Sequence, residues 1–329
     1  MNHRGFCLCR YLGRGGIAVE SFSSGTVTRI CDEAGRTLIM ERRSFIGTMT
    51  AAALLTRRLG WAADNRKIEN IGVQLYTVRE AMQQDFEGTL VKVAAIGYRE
   101  VEFAGYFEHS PREVRAVLDR HGLVAPSGHV EYDSLGEKWP QVIEASKIIG
   151  HRYIVNPDIG DDLRQQPDGW KRAAETFNRA GEASKKVGIQ FAYHNHWFDF
   201  TPVNGKRPYD ILLEECDPTL VKMELDLCWI TVTGQDPLVY FHRYPGRFPL
   251  VHVKDMRKIP SPAVTAAITS EDQFFPDMAD VGSGVIDWKR IFGKSEEAGI
   301  KYCFVEHDAP KSAFESIRTS YQYMQGLRF

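Results

Sequence analysis

Most of this 329-residue chain is predicted to fold as a (β/α)8 barrel, and three features of the sequence carry that prediction. From Ile71 onward, short apolar runs alternate with helical patterns through eight units, and helices between apolar strands imply a parallel sheet. Residues 67–329 match the roughly 250 residues that such a barrel needs. An open doubly wound sheet is the structural alternative, but no GxGxxG fingerprint follows the first apolar run.

The elements follow in order. IGVQLYTV (71–78) reads as the first strand. DFEGTLVKVAAIG (85–97) has helical spacing at Leu90, Val91, Val93, Ala94 and Ile96, and Gly97 is its stop. YREVEFAG (98–105) is the second strand. Ser110 then caps a helix with Pro111 in its first position and Gly122 past its end. The third strand is 123–132, followed by a helix over 137–150 that closes at Gly150. The fourth strand is 151–159, and a long helix over 168–188 closes at Gly188. QFAYHNH opens the fifth unit, with a short helix over 208–216. VKMELDLCW (221–229) is the sixth strand, with a helix over 236–244, and FPLVHVKD (248–255) is the seventh. A helix over 287–299, the strand YCFVEHD (302–308) and a helix over 312–324 complete the pattern. The longest break, 256–286, holds Pro260, Pro262, Pro276 and the run DVGSGVID. It is expected to lie over the active-site mouth, because loops at the C-terminal end of a barrel carry function.

The last four strands each end in a side chain able to bind a metal: His194, Asp226, His252 and Glu306. A single histidine in a strand is commonly a hydrogen-bonded core residue. Four such residues at the same relative place converge on one rim. Strand parity agrees, because positions two apart share a face: Glu306 goes with Phe304, and Asp226 with Glu224 and Cys228. Two imidazoles and two carboxylates suit Mn²⁺, Zn²⁺, Co²⁺ or Fe²⁺ and not Ca²⁺, which prefers oxygen ligands. His196 and His307 compete for ligand roles.

Other polar groups sit at the same strand ends. Glu102, His129, His196 and Lys254 are candidates for acid/base work. Glu102 reads equally as a sugar-binding carboxylate or as a buried ion-paired one. Lys254 shares a face with His252 and suits a substrate hydroxyl, phosphate or enolate oxygen, or else a salt bridge. Asn156 and His196 are candidate substrate contacts, and Trp197 and Trp229 could stack on a sugar ring or simply pack.

Ahead of the barrel, residues 1–66 are expected to form a separate extension. Residues 1–39 read as irregular. From Met40, the run MERRSFIGTMTAAALLTRRLGWAADN has paired arginines, a short apolar stretch and small residues at Trp61-Ala62-Ala63. This resembles a twin-arginine export signal, which implies a periplasmic or extracellular protein; a cytoplasmic one is the alternative. The apolar stretch is far below the ~20 residues needed to span a membrane, so no stable insertion is expected. Net charge is −2, from 41 Lys and Arg against 43 Asp and Glu, so nucleic acid is not an expected partner. The six cysteines include no CxxC pair, and no disulfide is expected in the main domain.

The motifs EFAG, YHNHWF, ELDLCW, HVKD, VGSGVIDW and VEHD together resemble the xylose isomerase-like TIM-barrel superfamily, in its sugar phosphate isomerase/epimerase branch. The resemblance runs over about residues 68–326. It implies one divalent ion, Mn²⁺ foremost, bound through Glu, Asp, His and Glu at four strand ends. Those positions here are His194, Asp226, His252 and Glu306, so histidine stands where sugar epimerases carry their first glutamate. In the epimerases two metal-bound glutamates exchange a proton across the substrate carbon, and only Glu306 remains of that pair. The leading expectation is a sugar isomerase or epimerase acting by proton transfer next to a carbonyl. The alternative is an exported lyase or hydratase acting on keto-glycosides through a metal-stabilised enolate. A phosphodiesterase of the endonuclease IV type would need more metal ligands and a basic face. A non-catalytic sugar-binding barrel would not need the four ligands. The expected partner is a small carbohydrate, and a homo-oligomer is left open.

Overall fold

The computed structural model describes residues 66–203 and 205–329, and ahead of them the strand backbones at 10–11, 18–21, 27–31 and 37–41. The chain divides into two compact units, Met1–Arg66 and Lys67–Phe329.

In the second unit, eight parallel strands close on themselves. They are β1 (Gly72–Gln74), β2 (Glu100–Phe103), β3 (Val124–His129), β4 (Tyr153–Asn156), β5 (Gln190–His194), β6 (Val221–Asp226), β7 (Leu250–Val253) and β8 (Tyr302–Val305). Each pairs with the next in sequence, and β8 pairs back to β1 through Phe304–Gly72 and Val305–Val73. Helices return the chain between strands and bury their apolar faces on the outside of the barrel. The second of the long ones, Pro111–His121, begins as its sequence requires. Ser110 Oγ accepts from the Glu113 amide at 3.4 Å, and Glu113 returns a carboxylate oxygen to the Ser110 amide at 2.7 Å. Gly122 ends it in the left-handed region at φ 63°.

Inside the barrel, Tyr153, Val155, Ala192, Leu250 and Phe304 form an apolar floor. Gly72 completes it, since a Cβ there would lie 2.5 Å from the Phe304 ring. One pleat further along, the inward positions turn polar: His194 follows Ala192, His252 follows Leu250, and Glu306 follows Phe304. Register puts Glu224 beside His194 and Asp226 beside His252.

Beyond strands that end a few residues earlier than read, as the third does at His129 and the eighth at Val305, the structure departs from the sequence reading as follows. The sixth strand ends at Asp226, and Leu227–Val232 is a helix that Asp226 caps by accepting the Cys228 and Trp229 amides, both at 2.8 Å. The first strand stops at Gln74, whose side chain caps the turn Leu75–Val78 by accepting the Tyr76 amide. The 287–299 helix is two short ones, Trp288–Phe292 and Ser295–Ala298, broken at Gly293. In the first unit, Arg10–Tyr11, Ala18–Ser21, Val27–Cys31 and Thr37–Glu41 pair as a four-stranded antiparallel sheet where irregular chain was expected. Strands of two to five residues between glycine-bearing connections are too short to display a period in the sequence. The twin-arginine segment from Arg42 to Asn65 lies outside the described residues.

The long connection after β7 is tied down at several points. Asp255–Met256 pairs antiparallel with Met278–Ala279. The Asp255 carboxylate accepts the amides of Gly282 at 2.9 Å, Gly284 at 3.3 Å and Ile286 at 3.3 Å, and the Trp288 indole N–H at 3.0 Å. Thr265 donates to the Val232 carbonyl at 2.9 Å. Cys216, Cys228 and Cys303 are free, buried thiols. Among the described residues, no helix is long and apolar enough to cross a membrane.

Candidate metal and substrate site

The C-terminal ends of the strands surround a cleft of about 540 Å³. Its base carries two overlapping groups of donors. Asp226, His252 and Glu306 bring one ligand atom each within 4.8 Å of one another; so do His129, His194, Glu224 and His252.

In the upper group, one face of each side chain is committed and the other is left for the site. Asp226 Oδ1 accepts its two capping amides, while the buried Oδ2 has no hydrogen-bond partner and lies 3.3 Å from the Lys254 ammonium. His252 Nε2 lies 2.6 Å from Glu102 Oε2, and its Nδ1 lies 2.6 Å from Glu306 Oε2. His194 Nδ1 lies 3.1 Å from Glu224 Oε2, leaving Nε2 turned to Asp226 Oδ2 at 4.0 Å. With a proton on the nitrogen that faces Glu224, His194 presents its Nε2 lone pair to the upper group; His252, set between two carboxylate oxygens that raise its pKa, donates from both nitrogens and would offer Nδ1 to an ion on losing that proton.

The lower group is a carboxylate layer. Glu224 Oε2 is also 2.8 Å from His129 Nε2 and 3.2 Å from His252 Nε2. Glu102 Oε2 accepts from the Gln74 amide at 2.9 Å. Lys254 crowns the site, 3.0 Å from both Glu306 and Asp308 and 5.0 Å above the Trp229 ring.

Electrostatics follow from burial. Burial opposes a charge on Lys254, yet Asp308, Glu306 and Asp226 raise its pKa well above the usual value. Burial likewise opposes protonation of His129, but Glu102 and Glu224 lift its pKa to about 9. His194 and His196 go the other way. Burial lowers both, helped for His194 by the neighbouring His252 and for His196 by Lys254; His196 falls to about 3. Burial pushes the Asp226 carboxyl up.

Residues 90–327 match the profile of the family described as xylose isomerase-like TIM barrel. The chain belongs to this family. It is 26% identical over 244 residues to an inosose dehydratase of Lacticaseibacillus casei, a match spanning 65% of this chain and 78% of that protein. The crystal structure of a sugar phosphate isomerase/epimerase from Parabacteroides distasonis superposes with a TM-score of 0.64 and 28% identity, over 78% of this chain and 93% of that one. The structure of the IolI protein with a bound zinc atom shares the fold at a TM-score of 0.61 and 15% identity, over 79% and 99% of the two chains. A small sugar-like molecule in the cleft fits this membership.

A divalent ion, as the family implies, is compatible with the residues present. Five buried carboxylates (Glu102, Glu224, Asp226, Glu306 and Asp308) meet at the site, where Lys254 and the imidazoles of His129 and His252, whose pKa values these carboxylates raise, are the groups that face them. Oxygens of Glu102, Glu224 and Asp226 are buried without a hydrogen-bond partner. Buried anions need a compensating cation, and the N₂O₂ set of His194, Asp226, His252 and Glu306 is chemically suited to a transition-metal dication.

Of the four expected ligands, the structure brings Asp226, His252 and Glu306 into one group and places His194 in the adjoining one with His129, Glu224 and His252, its Nε2 4.0 Å from Asp226 Oδ2. Of the expected acid/base and substrate groups, His129, His196 and Lys254 line the cleft with His194 and Glu306. Glu102 lies beneath them, fully buried, and its bonded oxygen faces Gln74 and His252. Asn156 is fully buried, its amide donating to the Val130 carbonyl. Trp197 and Trp229 pack on each other and on Phe274. The sequence reading did not give roles to Glu224, Asp308 or Glu271. The first shares strand parity with Asp226 and the second ends the VEHD motif, so both had a signal; Glu271 sits in an aperiodic loop and had none.

Proposed function

We propose that this chain is a divalent-metal-dependent lyase that expels water or an alcohol from an uncharged keto-polyol or keto-glycoside. The observation that carries the reading is His194, an imidazole at the strand end where a two-glutamate epimerisation needs the first glutamate of its pair. The relatives named inosose dehydratase support a lyase independently.

Held by His194, Asp226, His252 and Glu306, the ion would polarise the substrate carbonyl and acidify the adjacent C–H. Glu306 reaches the cleft and takes that proton. The Lys254 ammonium faces the negative charge that then develops on oxygen, and its three carboxylate neighbours keep it protonated for that task. His129 and His196 contribute hydrogen bonds from the cleft wall to substrate hydroxyls. The lining also suits a neutral substrate: Lys254 is its single lysine or arginine, engaged by three carboxylates, and it holds no arginine fork of the kind that grips a phosphate.

An isomerase or epimerase is the second reading, favoured by the 28% identity to the Parabacteroides distasonis protein. Proton NMR separates the two. The metal-loaded chain is incubated with inosose and, separately, with methyl 3-keto-β-glucoside. An unsaturated ketone with released water or methanol is the expected product. Products that keep every atom of the substrate, differing only in configuration or carbonyl position, would replace the lyase reading with the isomerase one.

A further inference from the structure

The lyase reading leaves one proton unassigned. Removing the C–H next to the ketone yields an enolate, and the leaving oxygen must still gain a proton as its bond to carbon breaks. Among the cleft-lining groups, Lys254 is engaged by three carboxylates, His129 Nε2 by Glu224 and Glu102 beneath the cleft, and burial holds His196 neutral. The long connection after β7 supplies another group. Glu271 opens the short turn Glu271–Gln273 and lines the cleft together with Lys254, Glu306 and Tyr76. Its carboxyl makes no hydrogen bond or ion pair with the described residues, although the side chain is half-buried.

The position of Glu271 is set by its surroundings. Three residues on, Phe274 is buried with its ring 5.5 Å from Trp197 and 5.1 Å from Trp229, and its amide donates to the Glu271 carbonyl at 2.9 Å. Just before it, Gln273 Oε1 accepts the Thr269 and Ser270 amides at 2.9 and 3.2 Å. The backbone is thus held while the carboxyl stays uncommitted, which is the arrangement a proton donor needs.

Resting on the lyase reading, we propose that Glu271 is the general acid that protonates the leaving oxygen. As the Cα–H electron pair moves to form the carbon–carbon double bond, the carbon–oxygen pair leaves with the oxygen. The Glu271 carboxyl gives that oxygen its proton, and water or an alcohol departs. Glu306 keeps the proton taken from carbon, and solvent resets both groups. Burial, with Glu306 nearby, favours the protonated form of Glu271 although Lys254 opposes it.

The test uses Glu271→Gln in the full-length, metal-loaded chain, in D2O, with methyl and 4-nitrophenyl 3-keto-β-glucosides. Two rates are read by NMR: deuterium uptake at the carbon next to the ketone, and elimination. Metal content is measured alongside, to show that the site remains assembled. The variant is expected to keep deuterium uptake and to lose elimination of methanol by about 10²-fold. With 4-nitrophenol, which leaves as a stable anion, the loss should largely disappear. Elimination of methanol at the wild-type rate would overturn the assignment. So would equal loss of exchange and elimination, or equal losses for the two leaving groups. A wild-type chain that catalyses neither exchange nor elimination would instead overturn the lyase reading beneath it.

Discussion

Glu224 Oε2 lies 2.8 Å from His129 Nε2, 3.1 Å from His194 Nδ1 and 3.2 Å from His252 Nε2. A single carboxylate oxygen therefore orients the imidazoles of His129 and His194 by hydrogen bonds and lies beside that of His252, whose Nε2 is bonded to Glu102. Replacing Glu224 by Gln keeps the volume but offers a neutral oxygen, or an N–H that cannot accept. Metal affinity is expected to fall about 10–100-fold, as for other carboxylates that orient metal-bound histidines. Competition titration against a chelator reads it directly, and unchanged affinity would show that the imidazoles hold their tautomers without Glu224. At this scale the sequence was informative wherever alternation applied. Parity in ELD and FVE, read along the strands, puts Asp226 and Glu306 on the inner face, and the interior packing of Phe304 agrees. The depth of each group was not legible. Glu102 and His129 occupy similar places at strand ends, yet one is sealed below the cleft and the other lines it. That difference depends on the β2–β3 register, which shifts between Glu100 and Glu102.

Among the elements, the connection after β7 is the one whose function depends most on tertiary contacts. Its prolines and the DVGSGVID run announced a loop, but its conformation comes from Asp255 collecting the Gly282, Gly284 and Ile286 amides and an indole, and from Phe274 packing against the paired rings of Trp197 and Trp229. None of these is a local pattern. Phe274→Ala removes the central anchor, and core Phe→Ala changes cost about 3–5 kcal/mol where the hole cannot collapse. Because the loop is peripheral to the barrel, that loss is expected to appear as local opening. Amide hydrogen exchange should speed up across residues 262–277 and stay unchanged in β4 to β8. Elimination should drop by about tenfold or more as Glu271 loses its place. Exchange that accelerates throughout the barrel would mean that Phe274 belongs to the global core. The end of the sixth strand carries a related lesson. Asp226 reads in sequence as a ligand within the strand 221–229, but its carboxylate also starts a helix, and that cap leaves Oδ2 without a hydrogen bond, turned to the site.

For the whole molecule, the barrel explains why ligands far apart in sequence meet: eight parallel strands deliver their C-terminal ends to one rim, above an apolar floor. That architecture was legible because strand and helix periods alternate through the chain and glycine stops punctuate them. The sheet in the first unit was not, its strands being too short to show a period. The cluster of buried carboxylates, several with an oxygen that no hydrogen bond takes, is a property of the assembled rim, and its donor set suits a divalent ion. Metal analysis of the purified full-length chain, grown with Mn, Zn, Co and Fe supplied, beside a His194→Ala variant, tests this most directly. About one divalent ion per wild-type chain, largely lost from the variant, is the predicted result. A wild-type chain without a bound divalent ion, or a variant that retains the full complement, would contradict the site.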